Sequence, residues 1–179
     1  MSNNIYVIHG GKKLKGAVVV NPSKNSATAI LIASLLNEKK TTIANLPKIE
    51  EVFRIIEVLE SIGIKTKWKG RVFEIIPAKT ILINKINKEA AAKTRSIILF
   101  IGALLHKFKS FNLPMSGGCK LGRRTIMPHI YALENFVVRI KQTCDRLFIN
   151  YKELHPADEI IMYESSDTAT ENAIMAAAL

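Results

Sequence analysis

The sequence predicts a mixed α/β (α+β) protein, and three observations predict it. Segments with helical period alternate with short strand-like segments along the chain. The alternation repeats. Residues 26–36, "SATAILIASLL", resemble residues 95–105, "RSIILFIGALL", at an offset of 69, and residues 59–68, "LESIGIKTKW", resemble residues 133–142, "LENFVVRIKQ", at an offset of 74. A third copy opens near Glu159, and its helix matches the first at an offset of 143.

Each element has a local reason. Residues 26–36 form an apolar helix, followed by a β-like segment at 41–45. A second helix places Val52, Ile55, Ile56, Leu59 and Ile62 on one face, with Glu50 and Glu51 in the first turn where the helix dipole favours negative charge. A hairpin follows, 65–69 and 72–76, turning at Gly70, and "TILINK" at 80–85 reads as a further strand. The second unit repeats the hairpin at 139–142 and 146–149, turning through 143–145. It has gained five residues between its two anchors, and "MSGGCKLGRR" at 115–124 lies in that interval. The third unit starts with a strand at 159–163 and reaches Leu179, which corresponds to Leu36 and Leu105 at the end of a first helix. The repeat therefore predicts that these residues are part of a longer protein.

With 179 residues, 48% apolar and 23% charged, the chain has the composition of a soluble globular domain. Its longest apolar run, 97–105, is far short of the roughly 20 residues that a membrane span requires. The start "MSNNIYVIHGGKK" lacks the apolar core of a cleavable signal, so the expected compartment is the cytosol with no membrane partner. Cys119 and Cys144 form no C-x-x-C pair, and His9, His106, His129 and His155 are scattered, so neither a metal site nor a disulfide framework is expected. The net charge of +11 raises nucleic-acid binding, but the lysines are spread over most segments, and only "KTKWKGRVF" sets an aromatic among them. A solvated lysine surface or a polyanionic small-molecule substrate explains the charge without nucleic acid.

In "MSGGCKLGRR" a cysteine follows two glycines, with Lys120, Arg123 and Arg124 close behind. Nearby cations favour a thiolate, and glycines let a loop close. On these residues alone, Cys119 reads either as a reactive thiol or as a small hydrophobe buried in a turn. Lys24, between a strand-like segment and a helix, reads either as an anion ligand or as a surface lysine near a cap.

Five segments occur in a telling order: "GAVVVNPSKNSATAILIASLL", "LPKIEEV", "KTRSIILFIGALL", "SGGCKLGRR" and "TATENAIM". Together they resemble the N-terminal part of the UDP-N-acetylglucosamine enolpyruvyltransferase (1-carboxyvinyltransferase) family. The resemblance covers nearly all of the chain but somewhat under half of a family member's length. It implies an inverted α/β barrel of βαβαββ units, here incomplete. Residues 1–20 would be strands of the second domain, and residues 21–179 the first domain with two repeats and the start of a third. It also implies transfer of the enolpyruvyl group of phosphoenolpyruvate to the 3-hydroxyl of UDP-N-acetylglucosamine, without cofactor or metal. These residues alone are expected to be inactive, because the C-terminal half of the same protein forms the other cleft wall.

By the same resemblance, Cys119 is the proton donor and the nucleophile toward phosphoenolpyruvate. Lys24 with Asn25 binds phosphoenolpyruvate, and Arg124 clamps its phosphate. Arg95, Thr125, Ser166 and Asp167 fall at sugar-nucleotide positions. There are departures from the family pattern. Thr125 and Met127 replace a proline and an acidic residue, "SSDT" at 165–168 replaces a valine–glycine pattern, Phe53 replaces an acidic residue, and Val137 stands where Gly63 ends the helix in the first unit. The sister enolpyruvyltransferase of the shikimate pathway lacks the Gly-Gly-Cys loop, so Cys119 favours the sugar-nucleotide acceptor.

Overall fold

The repeat folds as two three-stranded antiparallel sheets of the same strand order. A computed structural model describes residues 5, 7–115, 125–155 and 158–179. The first unit runs α1 (Lys24–Ala33), a 3-10 turn (Ser34–Leu36), β1 (Thr41–Ala44), α2 (Glu50–Ser61), β2 (Lys65–Lys69) and β3 (Val72–Ile76). A short helix α3 (Lys88–Ala92) links the units; it went unread in the sequence and is capped by the Asn87 side chain accepting from Ala90 N at 3.0 Å. The second unit runs through a 3-10 turn (Arg95–Leu99), α4 (Phe100–Leu104), β4 (Ser110–Pro114), α5 (Met127–Glu134), β5 (Arg139–Gln142) and β6 (Arg146–Asn150). Helix α6 (Asp167–Ala177) begins the third.

The sheet orders are β1-β3-β2 and β4-β6-β5. The hairpins superimpose in register at the offset of 74, since Lys65 pairs with Ile76 and Arg139 with Asn150. The outer strands do not keep the offset of 69. Phe111 faces Ile149 as Thr41 faces Ile75, which makes the structural offset 70. One of the five extra residues therefore lies before β4, and the other four lie between β4 and α5. The one-residue correction matters because a strand has period 2: it turns Phe111 and Leu113 inward, where both are buried.

The first-unit helix places Val52, Ile55, Ile56, Leu59 and Ile62 in the core, as its spacing predicts. Leu31, Ile32, Phe100, Ile101 and Leu104 are fully buried between α1, α4 and α6, where each side chain contributes about 2 kcal/mol. Trp68, in the "KTKWKGRVF" stretch, is spent on packing. Its ring centroid lies 4.7 Å from that of Phe73, and the Lys48 ammonium sits 4.9 Å from it.

Two expected strands do not form. Residues 80–85 make one strand-like bond, Leu82 N to Ile62 O at 2.9 Å, and then close into a 3-10 turn (Ile83–Lys85). Residues 159–163 have no strand partner among the described residues. Residues 7–23 behave alike: no strand forms, and Val18, Val19 and Val20 are exposed. All three segments precede the first helix of a unit. A short apolar run becomes a strand only where a neighbouring edge is present to pair with its backbone groups. The predicted apolar helix at 95–105 also differs, because its first turn is 3-10 and α-helix begins at Phe100.

The glycine-to-valine departure carries backbone strain. Gly63 ends α2 at φ 103°, and Val137 ends α5 at φ 63° with its N–H on the Glu134 carbonyl at 3.0 Å. Both hold the left-handed position that follows a helix, which glycine adopts freely and a β-branched residue does not. Val137 is exposed, so its side chain has little packing to lose. Val137→Gly is expected to stabilise the fold by about 1 kcal/mol, raising the thermal midpoint by roughly 3 °C in calorimetry.

Candidate active site

Three helix starts converge on one cleft of about 630 Å³. Lys24 and Asn25 open α1, whose N-cap Ser23 accepts from Ser26 N at 3.4 Å. Arg95 and Ser96 open the 3-10 turn leading to α4. Ser166 caps α6, accepting from Ala169 N at 3.4 Å, and Asp167 is the first helical residue. Unpaired N–H groups at such starts attract anions, and the repeat explains why three of them meet.

Glu51, in the first turn of α2, ties two of these starts together. Its Oε2 accepts from Lys24 Nζ at 2.8 Å, and its Oε1 accepts from Ser96 Oγ at 2.7 Å and Thr94 Oγ1 at 3.0 Å. Partial burial pushes the carboxyl up, but the hydrogen bonds from Lys24, Ser96 and Thr94 outweigh it and hold the group below the usual carboxylate value.

The cleft floor is a buried polar chain. Asn172, fully buried on α6, accepts from Gly102 N at 2.8 Å and donates to Ile98 O at 3.1 Å. That fixes its amide orientation and leaves the same NH2 group to meet His129 Nδ1 at 3.3 Å. His129 Nδ1 must then be an acceptor, so the neutral ring carries its proton on Nε2, 3.3 Å from Thr168 Oγ1. Burial, with the Arg95 charge adding to it, lowers the His129 pKa from 6.5 to about 4.

Six of the eight site residues read from the sequence border this cleft: Lys24, Asn25, Arg95, Thr125, Ser166 and Asp167. Thr125 Oγ1 also accepts from Met127 N at 3.0 Å, closing the start of α5. Cys119 and Arg124 lie outside the described residues, as does Arg123. Cys144 is an exposed free thiol. Sequence reasoning missed Glu51, Thr94, Thr168 and Asn172, and it left His129 among four scattered histidines. Glu51 showed only the signature of a helix start, and nothing local linked it to a lysine 27 residues away.

A family model described as EPSP synthase (3-phosphoshikimate 1-carboxyvinyltransferase) matches residues 8–179. The chain belongs to this family. A UDP-N-acetylglucosamine 1-carboxyvinyltransferase of Bradyrhizobium diazoefficiens is 36% identical over 172 residues, covering 96% of this chain and 39% of its own length. One from Legionella pneumophila is 37% identical over 183 residues, covering 98% and 35%. This EPSP synthase-family chain thus spans about two fifths of the length of the curated relatives it matches. Among solved structures, the enolpyruvyl transferase NikO from Streptomyces tendae superposes with a TM-score of 0.73 at 19% identity, covering 96% of this chain and 40% of its own. EPSP synthase from Acinetobacter baumannii gives 0.67 at 16% identity, covering 93% and 39%. These likenesses establish the fold as an incomplete enolpyruvyltransferase α/β architecture.

His129 makes this family member's stability pH-dependent. Its folded pKa lies below its unfolded value, so between pH 6.5 and about 4 the unfolded chain binds the extra proton. The contribution, on the order of 3 kcal/mol, is present above pH 6.5 and lost as pH falls toward 4. Urea titrations at pH 7 and pH 4.5 are expected to show that loss in the wild type and a shallower one in His129→Gln.

Proposed function

We propose that the full-length protein transfers the enolpyruvyl group of phosphoenolpyruvate to the 3-hydroxyl of UDP-N-acetylglucosamine and releases phosphate. This is the first committed step of peptidoglycan synthesis, on which cell-wall growth, shape and division depend. The observation that carries the reading is the meeting of Lys24, Asn25, Arg95, Thr125, Ser166 and Asp167 around one cleft in a chain 36% identical to carboxyvinyltransferases of that acceptor.

The chemistry follows from the residues. Protonation of the vinyl carbon by the Cys119 thiol makes the adjoining carbon electrophilic, and the sugar hydroxyl oxygen adds there after losing its proton to a base. Loss of phosphate and of a proton from the methyl group restores the vinyl group on the sugar. Lys24 and Arg124 neutralise the phosphate throughout, while Arg95, Thr125, Ser166 and Asp167 line the sugar-nucleotide side. Residues 1–20 pair with a second domain that supplies the base and the opposite wall. Exposed Val18–Val20 support this, as their apolar surface has no cover among the described residues. No helix among the described residues is long and apolar enough to cross a membrane, and we place the enzyme in the cytoplasm beside its small-molecule substrates. No nucleic acid takes part.

Phosphate release by the full-length protein from phosphoenolpyruvate is expected with UDP-N-acetylglucosamine and not with 3-phosphoshikimate. Release with 3-phosphoshikimate alone would assign the sister reaction, and release with neither would leave an anion-binding module. Cys119→Ala is expected to lower kcat at least 100-fold. An alkylating phosphonate epoxide is expected to label Cys119 and spare Cys144, read by peptide mass spectrometry; labelling of Cys144 alone would overturn the assignment.

A further inference from the structure

We propose that Glu51 is the positioning residue of Lys24, holding its ammonium at the cleft so that an anion meets it already placed. The inference rests on the reading of Lys24 as an anion ligand. Glu51 is fixed at one end and working at the other. Oε1 takes two hydroxyl donors, Ser96 Oγ at 2.7 Å and Thr94 Oγ1 at 3.0 Å, and Thr94 is buried. Oε2 faces Lys24 Nζ at 2.8 Å. A carboxylate anchored in this way cannot follow a lysine that swings outward, so the lysine is held to the carboxylate.

An ammonium has three donors, and Glu51 takes one. The Lys24 side chain is 54% exposed, leaving room for a ligand to use the others. Two opposing effects follow from the pair. Glu51 competes with an anion for the ammonium, and it also removes in advance the rotamer freedom that an unrestrained lysine would lose on binding. An anion can use the two remaining donors without displacing Glu51, whereas an unrestrained lysine would lose side-chain entropy that is among the largest of any residue. Positioning therefore outweighs competition. The same carboxylate joins the start of α1 to the turn carrying Arg95, so it also sets the spacing of the two cations.

The test is calorimetric binding of inorganic phosphate to the full-length protein and its variants, with acetylation of Lys24 followed by mass spectrometry. Lys24→Met is expected to abolish phosphate binding. Glu51→Ala is expected to weaken it about tenfold, and Glu51→Gln, which keeps the reach and one oxygen to accept from Lys24 while its NH2 donates to the hydroxyls, to restore it to within about threefold. In Glu51→Ala, acetylation of Lys24 should rise several-fold relative to exposed Lys39 in the same molecule, a change that a general loss of stability would not confine to Lys24. Should Glu51→Ala fail to fold, Glu51→Asp serves: it keeps the charge but shortens the reach, and weaker binding than in Glu51→Gln supports positioning. Unchanged or tighter binding in Glu51→Ala, with binding lost in Lys24→Met, overturns the proposal alone. Wild-type binding in Lys24→Met overturns the reading of Lys24 and the proposal with it.

Discussion

The arrangement depends on one side chain inserted into a helix. Asn172 of α6 bonds to Gly102 N and Ile98 O, the donor and acceptor that an unbroken α-helix would pair with each other four residues apart. A side chain in that ladder is a recognised cause of a helix break, and here the backbone passes from 3-10 to α at Phe100. The insertion is deep because residue 102 is glycine. A Cβ there would fall well inside van der Waals contact of the Asn172 carbonyl and side-chain oxygens. Leaving either buried backbone group unpaired would cost about 1–3 kcal/mol, so the amide holds α6 in one place along α4.

The cleft follows from that fixed position. With α6 clamped at Asn172, its first turn is brought to the level of Arg95, and Thr168 reaches His129. His129 completes the chain from α5, accepting from Asn172 while burial keeps it neutral. A protonated ring would turn a second donor toward the amide nitrogen, so the chemistry of Asn172 and the low basicity of His129 are one constraint seen from two sides. Asn172 thus positions a helix start, not a reacting group, and it does so from beneath the cleft.

The hairpins were legible in the sequence because they are local. The offset of 74 carries the register of β2 and β3 onto β5 and β6 without error, since a turn of fixed length sets both. Helices α1 and α2 were legible from their apolar spacing and α6 from the repeat, whereas the short α3 was not. What escaped was long-range. The one-residue insertion before β4 is silent in composition and becomes visible only in which face Phe111 turns inward. The segments at 80–85 and 159–163 have strand patterns but no partner edge among the described residues. Glu51 and Lys24 meet across 27 residues, and Asn172 meets Gly102 across 70; neither pairing leaves a mark in either neighbourhood. The family resemblance located six cleft residues for the same reason that spacing could not, because ordered motifs carry long-range contacts that a single segment does not.

Charge makes the same point about the site itself. The chain carries +11, yet the described residues lining the cleft include two cations, Lys24 and Arg95, against three carboxylates, Glu51, Glu164 and Asp167. The excess positive charge therefore lies elsewhere, much of it on exposed strand positions such as Lys65, Lys67 and Lys69. It serves solubility and long-range attraction, and it does not by itself build an anion site. Affinity has to come from arrangement. Glu51 is occupied by Lys24 and two hydroxyls, and Asp167 sits at a helix start that partly offsets its charge. The sequence adds three more cations, Lys120, Arg123 and Arg124, within the same ten residues as Cys119. Those ten residues thus hold, in sequence, as many cations as the described cleft lining holds carboxylates.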